Sequence, residues 1–482
     1  MESKLVIFGA SIGGVKVANT LFNLNINFEF FVDNDEKKWG SIINGKNICS
    51  PRVLTEKVYN IIIASAYYEE IEKQLYEMGI KEENIIVKEN LIIENYNEKL
   101  CTYFDKQKEE YEETISIGKE NKKQSFIMDL AEGIDIGGIE SWTYVITEEL
   151  LRQEKNTVIF TKNTEIKPPQ ILKDNVLKLD ILYEKYSESV ENLITSMKKY
   201  LPFTLIANWM THVFFAAYIL KKLYPDKVSI IGMVHHDMVG LYKRNKALEP
   251  YIDMFICVSS DTRKKMIEKY RIEKDKVLYK EVPIPIVEGY VKEYSKDGEP
   301  LQINFASRLV KSKKRADLII PLIKKLEKYN INYNLNIAGG GDYYDKIKEY
   351  IKKNDLKNKV KLYGSIKYEE MAEFWKKGDI VLSISDSEGM GLSILEGMSF
   401  GLVPIVTDTS GIWDFITPKI NGFICEINNI DMIVESIKEL DNDRNTVKVF
   451  GEASKNIIKR KCSVSEYVKW VCSIQNNEKH ND

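Results

Sequence analysis

Two carboxylates, Glu388 and Glu396, flank a glycine-rich turn, Gly389-Met390-Gly391-Leu392. The apolar run 379–384 before them reads as a buried parallel strand, and the residues after them as a helix stopped by Gly401 and Pro404. Glycines let the backbone approach a ligand closely. The first turn of the new helix directs unpaired N–H groups at an anion. Glu388 then lies in the loop and Glu396 inside the helix, so an anionic group sits between two acceptors for hydroxyls. A sugar nucleotide has both features. The alternative is a strand–loop–helix whose glycines serve only the turn and whose acids are solvated.

Two further constellations could carry chemistry. The chain has four histidines, and two adjoin, His235 and His236, after the apolar run 228–234. Ligands of open α/β sheets bind at the C-terminal strand ends, which favours function for this pair, His235 ahead of His236, over a satisfied structural histidine. Near the N-terminus, Gly9-Ala10-Ser11-Ile12-Gly13-Gly14 follows the strand-like 5–8, and Asp33 ends a second strand expected over 28–32. The spacing approaches the dinucleotide fingerprint, with Gly9, Ser11 and Gly14 at its glycine positions and Asp33 as its acid. Ser11 in place of the middle glycine departs from that pattern, so both a nucleotide site and a module that only packs remain open. Asp33-Asn34-Asp35 also spells a D-x-D, for which a ribose or structural role fits its strand-end position better than a metal.

These loops need a framework of alternating strands and helices. At 482 residues the chain exceeds one hydrophobic core. Its organisation is expected as a small Rossmann-like module over 1–97, a charged linker over 98–122, two larger α/β domains over 123–295 and 296–455, and a helical tail over 456–482. The linker is taken as making the first module a separate folding unit, dispensable for activity. A net charge of −3 argues against a nucleic-acid binder. No leader is expected at the start, and no apolar run reaches the ~20 residues that cross a bilayer. Six scattered cysteines without a C-x-x-C pair read as small core residues of a reducing, cytoplasmic compartment. Lys311, Lys313, Lys314 and Arg315, and likewise Lys459, Arg460 and Lys461, read as solvated faces that could still touch anionic lipid at the inner membrane face.

The stretch EGMGLSILEGMSFG resembles the Glu-x7-Glu signature of family-4 retaining glycosyltransferases. Asn304-Phe305-Ala306-Ser307-Arg308-Leu309-Val310, followed by 313–319, is similar to that family's G-R-L…K-G…D-L-L-I segment, with Arg315 where the family has glycine. Ala338-Gly339-Gly340-Gly341, Leu362-Tyr363-Gly364-Ser365 and Pro404-Ile405-Val406-Thr407 fall where the family has similar strand ends. Gly137-Gly138-Ile139-Glu140 resembles its G-G-x-E segment. The resemblance covers roughly residues 123 to 460 and implies a GT-B fold, two facing Rossmann-like α/β domains, here preceded by a small Rossmann-like domain.

The resemblance also implies roles. The leaving diphosphate would be neutralised by Arg308 and Lys314, with Lys313 as the alternate, and by the N–H groups of Gly389, Met390, Gly391 and Leu392, with Gly364 nearby. Glu396 would accept from the ribose hydroxyls and Glu388 from the transferred sugar. Gly137 and Gly138 would form a loop between acceptor and donor. The co-substrate would be a UDP- or GDP-linked sugar, and the acceptor a glycan, protein or lipid-linked group of the cell surface, with no metal and no further cofactor. The final helix would cross back over the first large domain. A nucleotide-sugar epimerase or hydrolase of the same fold, or a non-catalytic accessory subunit, is the competing expectation.

Overall fold

The computed structural model describes residues 4–65, 67–97, 99, 124–130, 137–162, 168–179, 186–208 and 212–474. Nearly all of the expected charged linker, with Cys101, lies outside the described residues. Three sheets form three α/β layers. The smallest has five strands, of which Phe31–Val32, Lys4–Phe8 and Tyr59–Ile63 are parallel neighbours, with an antiparallel hairpin at one edge. That hairpin turns at Asn44-Gly45, both at positive φ, as a two-residue turn between twisted strands requires. The second strand is shorter than its apolar run suggests, covering only Phe31–Val32.

The first large sheet is wholly parallel and seven-stranded. Its strands Ser125–Leu130 and Phe203–Ala207 lie side by side at the point where the chain order reverses direction. The second has six parallel strands and reverses between Leu301–Ala306 and Ile380–Ser383. Strands buried on both faces need apolar runs rather than alternation, and these segments supply them. Covering helices follow the helical period: Ile319, Leu322, Ile323 and Leu326 bury one stripe of the helix Ile319–Lys328. Gly397 lets the helix Leu392–Ser399 lie directly on the strand below, since a Cβ there would sit 2.7 Å from Val381 Cβ.

Contacts tie the three layers together. The helix over 88–97 buries Ile92, Ile93 and Tyr96 in the same apolar cluster as Leu205, Phe215 and Tyr218 of the first large domain. Tyr68 of the small domain stacks on Gly240, and Lys243 pairs with Glu72. This apolar core is shared across the expected boundary at residue 97. At the other end the helix Val464–Ile474 packs on the helix Gly138–Arg152, with Tyr467 against Trp142 at 6.2 Å. The five described cysteines are free. No described helix is long and apolar enough to cross a membrane.

Candidate functional site

In doubly wound sheets the loops leaving the reversal point splay apart and leave a crevice for a ligand. In the six-stranded sheet those loops run from Ser307 to Arg315 and from Ser385 to Gly391. They bring together residues far apart in sequence. Lys314 Nζ donates to Glu388 Oε1 at 2.6 Å, and Ser385 Oγ donates to the same oxygen at 2.7 Å. The N–H of Asp386 donates to the Lys313 carbonyl at 2.8 Å, fastening loop to loop. Lys313 Nζ rests on Met238 Sδ at 3.0 Å. Arg308 is exposed and makes no ion pair with a described residue.

Positive charge therefore exceeds negative charge here. The Lys313 ammonium has a lowered pKa, first through burial and then through Lys314 and Arg308. His236 is pushed down to about 4 by burial, then by Lys313 and Lys314, with Glu388 opposing. Asp386 and Glu388 offset only part of this field. A cluster that strains against its own charge is a ready anion site. Arg315 holds φ +51, the left-handed region, with its guanidinium braced on Asp317 at 3.1 Å. A glycine would adopt that φ without strain; here an arginine holds it while its side chain pairs with Asp317.

The glycine loop adjoins this cluster. Gly391 holds φ +68 as N-cap of the helix Leu392–Ser399, whose first N–H groups have no intrahelical acceptor. Glu396 lies in the second turn, half-buried, and receives Trp375 Nε1 at 3.3 Å. Burial pushes its carboxyl up to about 7, with the Trp375 N–H opposing.

The two large domains meet at this loop. A Cβ on Gly389 would overlap the His235 carbonyl, and one on Gly138 would lie 3.2 Å from Leu392 Cδ1. Ser260 N and Ser410 Oγ donate to Asp414 Oδ2 and Asp261 Oδ2, each at 2.9 Å, binding the two domains beside the crevice. Thus Glu388, Gly389, Met390, Gly391, Leu392, Arg308, Lys313, Lys314, His235, His236 and Gly138 form one neighbourhood, with Gly137 adjoining and Glu396 behind it. Gly364 ends the edge strand, its carbonyl accepting from Gly339 N at 2.7 Å, and a Cβ on Gly339 would overlap the Ser307 carbonyl next to Arg308.

Gly9, Ser11, Gly14 and Asp33 are in the small domain, outside this neighbourhood. Asp33 is occupied by its own chain: Oδ2 accepts from Ala10 N at 2.7 Å and Lys38 Nζ at 3.1 Å, and Oδ1 from Asp35 N at 2.9 Å. Burial opposes its ionisation, but the Asp35 and Ala10 N–H groups and Lys38 outweigh it and lower the pKa. Sequence reasoning missed Asn208, which bonds His235; Asp129 and Thr143, which hold Asn208; and Trp375, which donates to Glu396. A lone carboxylate inside the apolar run 126–130, and an asparagine directly after the run 203–207, were the available signals.

Two parallel sheets facing across a crevice, each with a reversal point opening onto it, define the GT-B architecture, and a smaller sheet domain precedes them. Solved structures agree: S. aureus TarM, crystallised with fondaparinux, α-GlcNAc-glycerol and UDP, superposes with a TM-score of 0.60 at 15% identity, covering 74% of this chain and all of that one. Anabaena HepE in complex with UDP and glucose gives 0.61 at 13% identity, covering 74% and 100%. Residues 288–457, in the second large domain, match the family model for glycosyl transferases group 1. Residues 1–86 match a model described as C2185-like, N-terminal.

Among curated relatives, an uncharacterized glycosyltransferase of Methanocaldococcus jannaschii is 32% identical over 30% of this chain and 40% of its own length. A Staphylococcus aureus poly(ribitol-phosphate) α-N-acetylglucosaminyltransferase is 31% identical over 35% of this chain and 34% of its own. The chain thus spans well under half the length of these relatives.

Proposed function

We propose that this chain is a retaining, metal-independent glycosyltransferase that moves a hexose from a nucleotide-sugar donor, UDP- or GDP-linked, to a glycan or other cell-surface acceptor. The observation that carries this reading is the cluster of Arg308, Lys313 and Lys314 beside a helix N-terminus and two glutamates at a sheet's reversal point. Transfer breaks the bond from the anomeric carbon to the diphosphate oxygen, and the electron pair leaves with the diphosphate. Preorganised cations and N–H groups at that oxygen are the largest help a protein can give. Arg308 engages phosphate through a planar fork and Lys314 as a point charge. The N–H groups from Gly389 to Leu392 complete the cradle.

Glu388 accepts from hydroxyls of the transferred sugar once Lys314 turns to the phosphate, and Glu396 accepts from the ribose. The acceptor hydroxyl attacks the same face that the diphosphate leaves, and its proton passes to the departing phosphate oxygen. No protein base is then required. The relatives support the choice of ligand class, since TarM and HepE were crystallised with UDP and the S. aureus relative has poly(ribitol-phosphate) in its name. A screen of nucleotide sugars for thermal stabilisation tests the reading, because a ligand at 100 times its Kd adds about 2.7 kcal/mol. No stabilisation by any UDP- or GDP-sugar would end it. Donor loss without acceptor, or conversion to an epimer, would reassign the site to a hydrolase or epimerase.

A further inference from the structure

Asn208 is the first residue beyond the strand Phe203–Ala207, at the reversal point of the seven-stranded sheet. It is buried, and its amide is surrounded by groups whose hydrogen-bond sense is fixed. Nδ2 lies 2.8 Å from the Asp129 carbonyl oxygen and 3.1 Å from Thr143 Oγ1. A carbonyl only accepts, and Thr143 Oγ1 already gives its hydrogen to the Ile139 carbonyl at 2.8 Å. Both positions demand a donor, which sets that end of the amide as NH2. The Asn208 backbone N–H also donates to Asp129 Oδ1 at 2.6 Å, fixing the residue from another side.

The other end of the amide, Oδ1, therefore faces His235 Nε2, at 2.7 Å. Oδ1 can only accept, so Nε2 carries the hydrogen. Burial, with His236 adding to it, pushes the His235 pKa down to about 3 and keeps the ring neutral. In a neutral imidazole with hydrogen on Nε2, the lone pair is on Nδ1. Nε2 is the only ring nitrogen of His235 that bonds a described residue. Trp142 meets the ring edge-on at 5.2 Å and limits its rotation, while the His235 carbonyl abuts Gly389.

We propose that Asn208 is a positioning residue that locks His235 in the Nε2–H tautomer, so that the first large domain presents an acceptor, Nδ1, to a hydroxyl or amide N–H of the donor's sugar. The identity of the ligand rests on the glycosyltransferase reading; the tautomer does not. The test is nitrogen NMR of the full chain labelled with 15N-histidine, with His235→Gln assigning one of four imidazoles. The wild type is expected to show a neutral Nε2–H ring from about pH 6 to about pH 8. Asn208→Ala should shift it toward Nδ1–H and lower kcat/KM about 10- to 100-fold, by analogy with the loss of a partner that orients a metal-bound histidine. Asn208→Asp keeps an acceptor opposite Nε2 and should retain the tautomer.

A wild-type ring with hydrogen on Nδ1, or an imidazolium, overturns the lock even if Asn208→Ala fails to fold. An Asn208→Ala protein with an unchanged Nε2–H signal overturns it as well. A changed tautomer with unchanged kcat/KM overturns the ligand contact. Absence of turnover with every nucleotide sugar, with the Nε2–H signal intact, would instead overturn the glycosyltransferase reading.

Discussion

Two of the chain's strand–glycine turn–helix units, each with a carboxylate close by, invite comparison: the one after Lys4–Phe8 and the one after Ile380–Ser383. In the small domain the unit is closed on itself. A Cβ on Gly14 would overlap the Gly9 carbonyl, and Asp33 is saturated by Ala10 N, Asp35 N and Lys38. In the second large domain the unit is open. Gly389 presses on another domain rather than its own turn, and Lys314, which pairs with Glu388, also acts with Arg308 to depress the Lys313 pKa. The two loops thus differ in the balance of charge around them, not in their glycines.

Arg308→Ala is the strongest test of that contrast. Arg308 is exposed and pairs with no described carboxylate, so its loss should leave the fold intact. Turnover should fall about 100- to 1000-fold, roughly 2.7–4 kcal/mol of barrier. Initial rates with a saturating donor check this, and added Mg²⁺ should not restore them. Near-normal rates would erase the distinction between the two loops.

Gly389→Ala should come next. Its new Cβ would meet the His235 carbonyl and force the domains apart. A displacement of about 1 Å at a reacting site costs on the order of 100-fold, so kcat should drop by up to that amount while the circular dichroism spectrum is kept. Equal kcat in the variant would show that the domains need not touch there during turnover.

Glu396 gives a pH signature. Its pKa is raised from 4.5 to about 7, so the folded protein holds a proton that the unfolded chain releases at lower pH. The associated stability is fully present below about pH 4.5 and is lost as pH rises through about 7. Without ligand, Glu396→Gln should therefore gain in melting temperature relative to wild type between about pH 5 and about pH 8, while its affinity for the donor falls because the ribose acceptor is weakened. A pH-independent difference in Tm would remove the buried-carboxylate account.

Asp33→Asn should have the smallest effect on function. It disturbs the Ala10, Asp35 and Lys38 bonds and should cost the small domain on the order of 1–3 kcal/mol. Donor Kd by calorimetry and kcat should not change. A weakened donor would mean that the closed loop contributes to the site after all.

Much of the candidate site was legible in sequence because its residues share short segments. Glu388, Glu396 and the intervening glycines share one loop and helix, and Arg308, Lys313 and Lys314 share another, so spacing and residue type were informative. The network around His235 was not, since Asp129, Thr143 and Asn208 come from three elements and meet only across the sheet's reversal point. The attachment of the small domain was hidden for a similar reason. Ile92, Ile93 and Tyr96 read as an ordinary apolar stripe, and a stripe does not name the core that will bury it.

By itself the sequence determined the strand–loop–helix units, the parallel sheets that apolar runs enforce, and the residue types capable of holding a diphosphate, because backbone propensity and hydrophobic period act over a few residues. Tertiary structure alone decided which loops face each other, which carboxylate is already satisfied, and how far burial moves Glu396 and His236. Those properties depend on desolvation and on charges a few ångströms apart in space, and residues that close can be separated by any length of chain.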